Sequence, residues 1–127
     1  MPAAHHFGRT AEALAIRWLR QHGYQIVDHN LRLLGGELDI VAQDKKTLVF
    51  IEVKGRRTDQ FGGASYAIDE RKKRQIIKLA SFYRSERGLD HQPCRFDAIF
   101  VTASKENIPE ITHVQDAFEV SSSDWQW

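Results

Sequence analysis

The chain has 127 residues, 42% hydrophobic and 28% charged, the size and balance of one globular domain rather than two. Its 18 Lys+Arg against 17 Asp+Glu leave a net charge of +1, which excludes a uniformly basic chromatin-type protein but not a local basic patch. A single cysteine, Cys94, excludes an internal disulfide and a thiolate-rich zinc site. No apolar run approaches the roughly 18 residues that span a bilayer, and Met1-Pro-Ala-Ala-His-His lacks the basic flank and apolar stretch of a signal peptide. A cytoplasmic protein with no membrane partner is expected.

Thr10 is of the type that caps a helix start, and Gly23 of the type that ends one, so a first helix is expected from Thr10 to about His22. Ala11, Leu14, Ala15, Trp18 and Leu19 give it one apolar stripe. Tyr24–Leu33 reads as extended and is punctuated by Gly35-Gly36. Glu37–Gln43 and Leu48–Lys54 read as strands joined by a polar turn around Asp44-Lys45-Lys46. Gly55–Tyr66 reads as a loop carrying Arg56, Arg57 and Gly62-Gly63. A second helix is expected from Asp69 to Arg87, stopped by Gly88, then strands at Arg95–Thr102 and Ile108–Val114. Residues 1–120 are taken as one domain and 121–127 as a loose tail. The long helix can return the chain as a parallel neighbour of the third strand, giving an α/β mixed sheet flanked by helices.

Charge is concentrated. Eight basic residues and three acids lie between Lys54 and Lys78, so that segment carries +5 and the remainder −4. One region could hold a polyanion.

The hairpin of the second and third strands carries the chemistry. Side chains alternate along a strand, so Leu38, Ile40 and Ala42 share one face and Glu37, Asp39 and Val41 the other. In the next strand Val49, Ile51 and Val53 oppose Leu48, Phe50, Glu52 and Lys54. A two-residue loop at Lys45-Lys46, or a four-residue loop Asp44–Thr47, pairs Ile40 with Ile51, Ala42 with Val49 and Leu38 with Val53. The same register pairs Asp39 with Glu52 and Glu37 with Lys54. A three-residue loop would shift the pairing by one and require a bulge. Two carboxylates directly opposite, with Cβ atoms roughly 5 Å apart, repel unless one is protonated or a cation sits between them. Mg²⁺ suits such a pair. Lys54, roughly 6–7 Å along the strand from Glu52, could orient a water and offset charge on a phosphorus centre. The plainer alternative is a cross-strand Glu37–Lys54 ion pair with Asp39 and Glu52 merely solvated.

Asp39, twelve residues, then Glu52-Val53-Lys54 resembles the signature of the PD-(D/E)XK nuclease superfamily, the restriction-endonuclease-like fold. Further blocks are similar to the bacterial YraN family. They are Gly8-Arg9-Thr10-Ala11-Glu12, Asn30-Leu31-Arg32, Gly36–Ala42, Leu48–Lys54, Arg95-Phe96-Asp97 and Ala117-Phe118. The resemblance implies an αβββαβ core as in Holliday-junction resolvases and a Mg²⁺- or Mn²⁺-dependent endonuclease acting on DNA, branched or flapped substrates included. By the same resemblance Asp39, Glu52 and the Val53 carbonyl would hold metal, Lys54 would be the catalytic lysine, and Glu12 would be an additional active-site acid. A homodimer is the analogous assembly. The chain departs from the superfamily in having Gly36-Glu37-Leu38, with no proline, before Asp39, and Leu79 rather than tyrosine four positions after Gln75.

Arg71, Arg74 and Lys78 form one helical row, whereas Lys72 shares a row with Ile76, Leu79 and Tyr83 and can reach back over the sheet end. DNA-backbone contacts are expected from Arg56, Arg57, Lys72 and Arg74, since phosphates need only positive charge. The bland reading of the helix charges is a solvated face. Arg95 and Asp97 read as a structural pair. The competing function is a nucleic-acid-binding module with this fold and no cleavage. A third class is an adaptor that holds an acidic protein on the basic face.

Overall fold

The computed structural model describes the backbone of residues 3–57, 68–103, 106 and 108–120, and the side chains of these except 3–9, 56 and 57. Helix α1 spans Ala3–Gln21, β1 Gln25–Leu33, β2 Gly36–Asp44, β3 Thr47–Arg57, α2 Glu70–Glu86, β4 Cys94–Ala103 and β5 Pro109–Val114. One five-stranded sheet has the order β1-β2-β3-β4-β5, with β3 and β4 parallel and the other neighbours antiparallel. This is the expected α/β mixed sheet, consistent with a restriction-endonuclease-like αβββαβ core extended by β5. The expected tail and the Gly62-Gly63 segment lie outside the described residues.

Both helices end as their glycines require. Gly23 has φ +88, and the Tyr24 N–H donates to the Leu19 carbonyl at 3.0 Å; Gly88 has φ +65, and the Leu89 N–H donates to the Arg84 carbonyl at 2.8 Å. These are the bonds of a helix closed by a left-handed residue. The Asp69 side chain caps α2 by accepting from the Lys72 N–H at 2.8 Å. The start of α1 differs from expectation: the helix begins at Ala3, so Thr10 lies inside it. Ala3 and Ala4 favour helix strongly and Gly8 costs only about 1 kcal/mol, so a cap-type residue downstream does not stop the helix from extending.

The helices cover opposite faces of the sheet. Ala11, Ala15 and Leu19 of α1 pack with Ile40, Ala42, Val49, Ile51, Ile99 and Val101. Ile76, Leu79, Ala80 and Tyr83 of α2 pack with Leu38, Val41, Phe50, Phe96 and Phe100. Phe50, Phe96 and Phe118 stack in series at 5.5 and 5.1 Å between centroids. Residues Gly55–Arg57, expected as loop, continue β3 and pair with Val101, Thr102 and Ala103. A parallel partner strand supplies the ladder that the local sequence does not advertise.

The β2–β3 register is the expected one from the turn inwards: Asp44↔Thr47, Ala42↔Val49 and Ile40↔Ile51, around the two-residue loop Lys45-Lys46. The ladder ends there. The expected pairs Leu38–Val53, Asp39–Glu52 and Glu37–Lys54 do not form, because the two strands part beyond Ile40 and Ile51. The face assignment changes at the same place. Ile40 and Ala42 belong to the α1 side, but Leu38 packs on the α2 side beside Val41. Alternation therefore slips at Asp39. On the neighbouring strand Asn30 takes a left-handed φ of +51, between the pairs His29↔Ile40 and Leu31↔Leu38. Asn tolerates that region better than most residues.

Candidate metal centre at the strand fork

The fork is built around Asp39. The Val53 N–H, which has no β2 ladder carbonyl to meet, donates to Asp39 Oδ2 at 2.9 Å. One carboxylate oxygen thus bridges the two strands in place of a peptide carbonyl. The slipped alternation turns Glu37 to the same place, and α1 delivers Glu12 from above. Carboxylate oxygens of Glu12, Glu37 and Asp39 lie within 4.8 Å of one another, and all three residues are half-buried. Glu52 hydrogen-bonds to Asp39 and is only 8% exposed. These acids line an open cleft of about 740 Å³ together with Asn30 and Val53.

Such crowding has an electrostatic consequence. Burial, then the charges of Asp39 and Glu37, push the Glu12 carboxyl up to about 7, against a hydrogen bond from Asn30. Burial and the Asp39 charge push Glu52 up to about 8, opposed by the cations of Lys72 and Lys54. Burial also raises Asp39, although the Val53 N–H and the Glu52 hydroxyl both donate to it. The metal-free site therefore retains protons near neutral pH, with protonated Glu52 donating to Asp39. A divalent cation would relieve the same repulsion. The donors are all carboxylate oxygens, which fits a hard ion such as Mg²⁺ or Mn²⁺, and the chemistry of the set matches those expected cofactors.

The residues singled out from sequence distribute as follows. Asp39, Glu52 and Glu12 converge, and Val53 lines the cleft. Lys54 is half-buried one residue beyond, close enough for its charge to act on Glu52. The Lys72 ammonium lies 3.7 Å from Glu52 Oε1 rather than on the outer face of α2. Arg74, with Arg71 and Lys78, is on the exposed face. Arg56 and Arg57 end β3, and their side chains lie outside the described residues. Glu37, expected opposite Lys54 and paired with it only in the plainer alternative, instead joins the acidic cluster. Asn30 and Arg32, which belong to one of the blocks resembling the YraN family but carry no expected role, also line the cleft. A usable signal was present: asparagine is disfavoured within strands, so Asn30 inside an extended run marks an interruption.

A second polar group lies away from the cleft. Asp97, buried on β4, accepts from Arg95 Nε at 2.8 Å and Nη2 at 2.9 Å and from the Asp116 N–H at 3.1 Å, and its Oδ2 lies 2.7 Å from His113 Nε2. Arg95 also reaches the Tyr24 hydroxyl at 2.9 Å and Asp44 at 3.2 Å. The pair expected from sequence is thus part of a network that fastens β5 and the α1–β1 junction to the sheet. No helix among the described residues is long and apolar enough to cross a membrane.

Comparison with known proteins agrees with the block pattern. The profile of "Uncharacterised protein family UPF0102" matches residues 11–101. A UPF0102 protein of Geobacter sulfurreducens is 42% identical over 121 residues, 93% of this chain and 94% of the relative. One from Geobacter metallireducens is 43% identical over 115 residues, 90% of this chain and 93% of the relative, and one from Hahella chejuensis 45% identical over 92 residues, 72% and 74%. The matched span holds Glu12, the fork and α2, and the chain belongs to UPF0102, the YraN family.

Proposed function

We propose that this protein is a Mg²⁺- or Mn²⁺-dependent DNA endonuclease of the PD-(D/E)XK type, hydrolysing phosphodiester bonds in branched or flapped DNA. The observation that carries the reading is the strand fork at which Asp39 bridges to the Val53 N–H while Glu12, Glu37 and Glu52 crowd around it. A purely structural site gains nothing from crowding three half-buried acids and one buried one at a strand fork.

Asp39 and Glu52, with the Val53 carbonyl, would hold the cation. That ion supplies Lewis acidity and a template for the phosphate oxygens. Lys54 orients the attacking water and offsets negative charge as the phosphorus centre becomes five-coordinate. Glu12, whose carboxylate oxygens lie beside those of Asp39 and Glu37, is placed to accept a proton from water. Arg56, Arg57 and Arg74 contact the DNA backbone without reading sequence. A homodimer would present two such clefts to a branched substrate.

The test is a panel of labelled duplex, flap, single-strand and four-way-junction DNAs incubated with Mn²⁺ or Mg²⁺. Wild type cleaves at least one of them; Asp39→Ala and Lys54→Ala do not, while Lys54→Ala still binds. Cleavage that survives both substitutions overturns the assignment. Binding with no metal-dependent cleavage by wild type identifies a non-catalytic nucleic-acid-binding module instead.

A further inference from the structure

The basic residues of α2 divide into two classes. Arg71, Arg74 and Lys78 are exposed. Lys73 pairs with Glu70 at 3.0 Å on the same helix. Lys72 differs, because it shares its row with the buried Ile76, Leu79 and Tyr83. That row draws its stem inward, so the ammonium reaches Glu52 across the end of the sheet at 3.7 Å.

The distance is informative. At 3.7 Å the contact exceeds the roughly 2.7–3.2 Å of a direct N–H···O bond, so the attraction is Coulombic and holds no fixed geometry. The Lys72 side chain is 33% exposed and that of Glu52 only 9%. A nearly buried acid, hydrogen-bonded to Asp39, therefore faces a cation that has one side in water and a flexible four-carbon stem. Lys72 also stands between two concavities. Glu52 lines the acidic cleft, while Lys72 borders a second hollow of about 290 Å³ with Asp69, Arg71 and Gln75.

We propose that the Lys72 ammonium is a built-in counter-cation for the Asp39–Glu52 pair, displaced by an incoming divalent ion and thereby released, beside Arg71, to a DNA phosphate. This rests on the metal-dependent reading above. Charge over distance decides the exchange: a divalent ion at about 2.1 Å attracts a carboxylate oxygen roughly 3.5 times as strongly as a monovalent one at that separation, before the cost of stripping water. Both cations cannot remain against the same carboxylates without repelling each other. Metal and DNA binding are thereby coupled through one side chain: the ion frees a positive charge that the phosphate backbone then takes.

The experiment is a calorimetric Mn²⁺ titration of the full chain without DNA, comparing wild type with Lys72→Met, Lys72→Gln, Lys72→Arg and Lys73→Ala. Loss of the competing charge should tighten Mn²⁺ binding about three- to tenfold in Lys72→Met and Lys72→Gln. Lys72→Arg and Lys73→Ala should stay near wild type. With Ca²⁺ in place of Mn²⁺, the gain in duplex affinity on adding metal should be smaller in Lys72→Gln than in wild type. Mn²⁺ affinity that is unchanged or weaker in both neutral variants overturns the counter-cation role and leaves the metal site intact. A wild type that takes up no Mn²⁺ overturns both.

Discussion

Asp39 Oδ2 accepts the Val53 N–H at 2.9 Å where the β2–β3 ladder has already ended. The Asp39 carboxylate thus does two jobs: it satisfies a part-buried strand donor and joins the acidic cluster with Glu12 and Glu37. The two jobs separate by substitution. Asp39→Asn keeps an oxygen for Val53, whereas Asp39→Ala leaves that N–H unpaired, a loss of roughly 1–3 kcal/mol. Urea denaturation at pH 8 should therefore rank Asp39→Asn above Asp39→Ala by about that amount. Both variants should lose metal uptake. Equal stabilities would show that Val53 finds another acceptor.

The metal-free site makes stability fall with rising pH. Glu12 and Glu52 have folded-state values of about 7 and about 8, above their ordinary 4.5. The folded state binds more protons than the unfolded one between those limits, so unfolding free energy declines from about pH 4.5 to about pH 8. A melting series in chelator should show this decline, and Glu12→Gln or Glu52→Gln should flatten it. Mn²⁺ should raise the melting temperature at pH 8 and have little effect at pH 5, where protons occupy the carboxylates. A flat profile in chelator would contradict the crowding of these acids.

Much of this site was legible because strand alternation and turn length are strict rules. Ile40–Ile51 and Ala42–Val49 pair as the apolar pattern demands. The same rule failed one residue further on. It assumes an uninterrupted ladder, and here the Asp39 side chain competes with the backbone for the Val53 N–H. Once alternation slips, Leu38 moves to the α2 side and Glu37 joins Glu12. Lys72 was legible as a residue that reaches back, since its row is apolar, but its partner depends on where the parted strands leave Glu52. The Arg95–Asp97 pair was local and visible; His113 and Tyr24 reach it only through tertiary packing.

The Asp97 network should govern stability from the acid side. Burial alone would raise this carboxyl, but hydrogen bonds from His113 and Arg95, with the Arg95 charge and the Asp116 N–H, outweigh it and hold the group below the usual carboxylate range. Its stabilisation is present above the unfolded value near 3.8 and is lost as pH falls through the folded one. Together with the opposite slope from Glu12 and Glu52, this predicts a stability maximum in the mildly acidic range. Asp97→Ala leaves the Arg95 guanidinium with only Asp44 and Tyr24 and removes the acceptor of His113 and of the Asp116 N–H, and should cost about 1–3 kcal/mol by urea denaturation. Mn²⁺ affinity of the fraction still folded should be unchanged, because the network lies outside the cleft.

The β1–β2 turn offers a change in the stabilising direction. Leu33 pairs with Gly36, so Leu34-Gly35 is a two-residue loop, and both residues have positive φ, +49 and +77. That is the geometry of a type I′ turn, which favours Asn-Gly and disfavours a bulky apolar side chain at its first position. Leu34 is also 57% exposed, so its replacement removes little buried area. Leu34→Asn should stabilise the fold by about 0.5–1 kcal/mol through relief of the left-handed strain. The turn touches neither Asp39 nor Glu52, so Mn²⁺ affinity should match wild type while the urea midpoint rises. A lowered midpoint would mean that the Leu34 side chain contributes packing that outweighs its backbone strain.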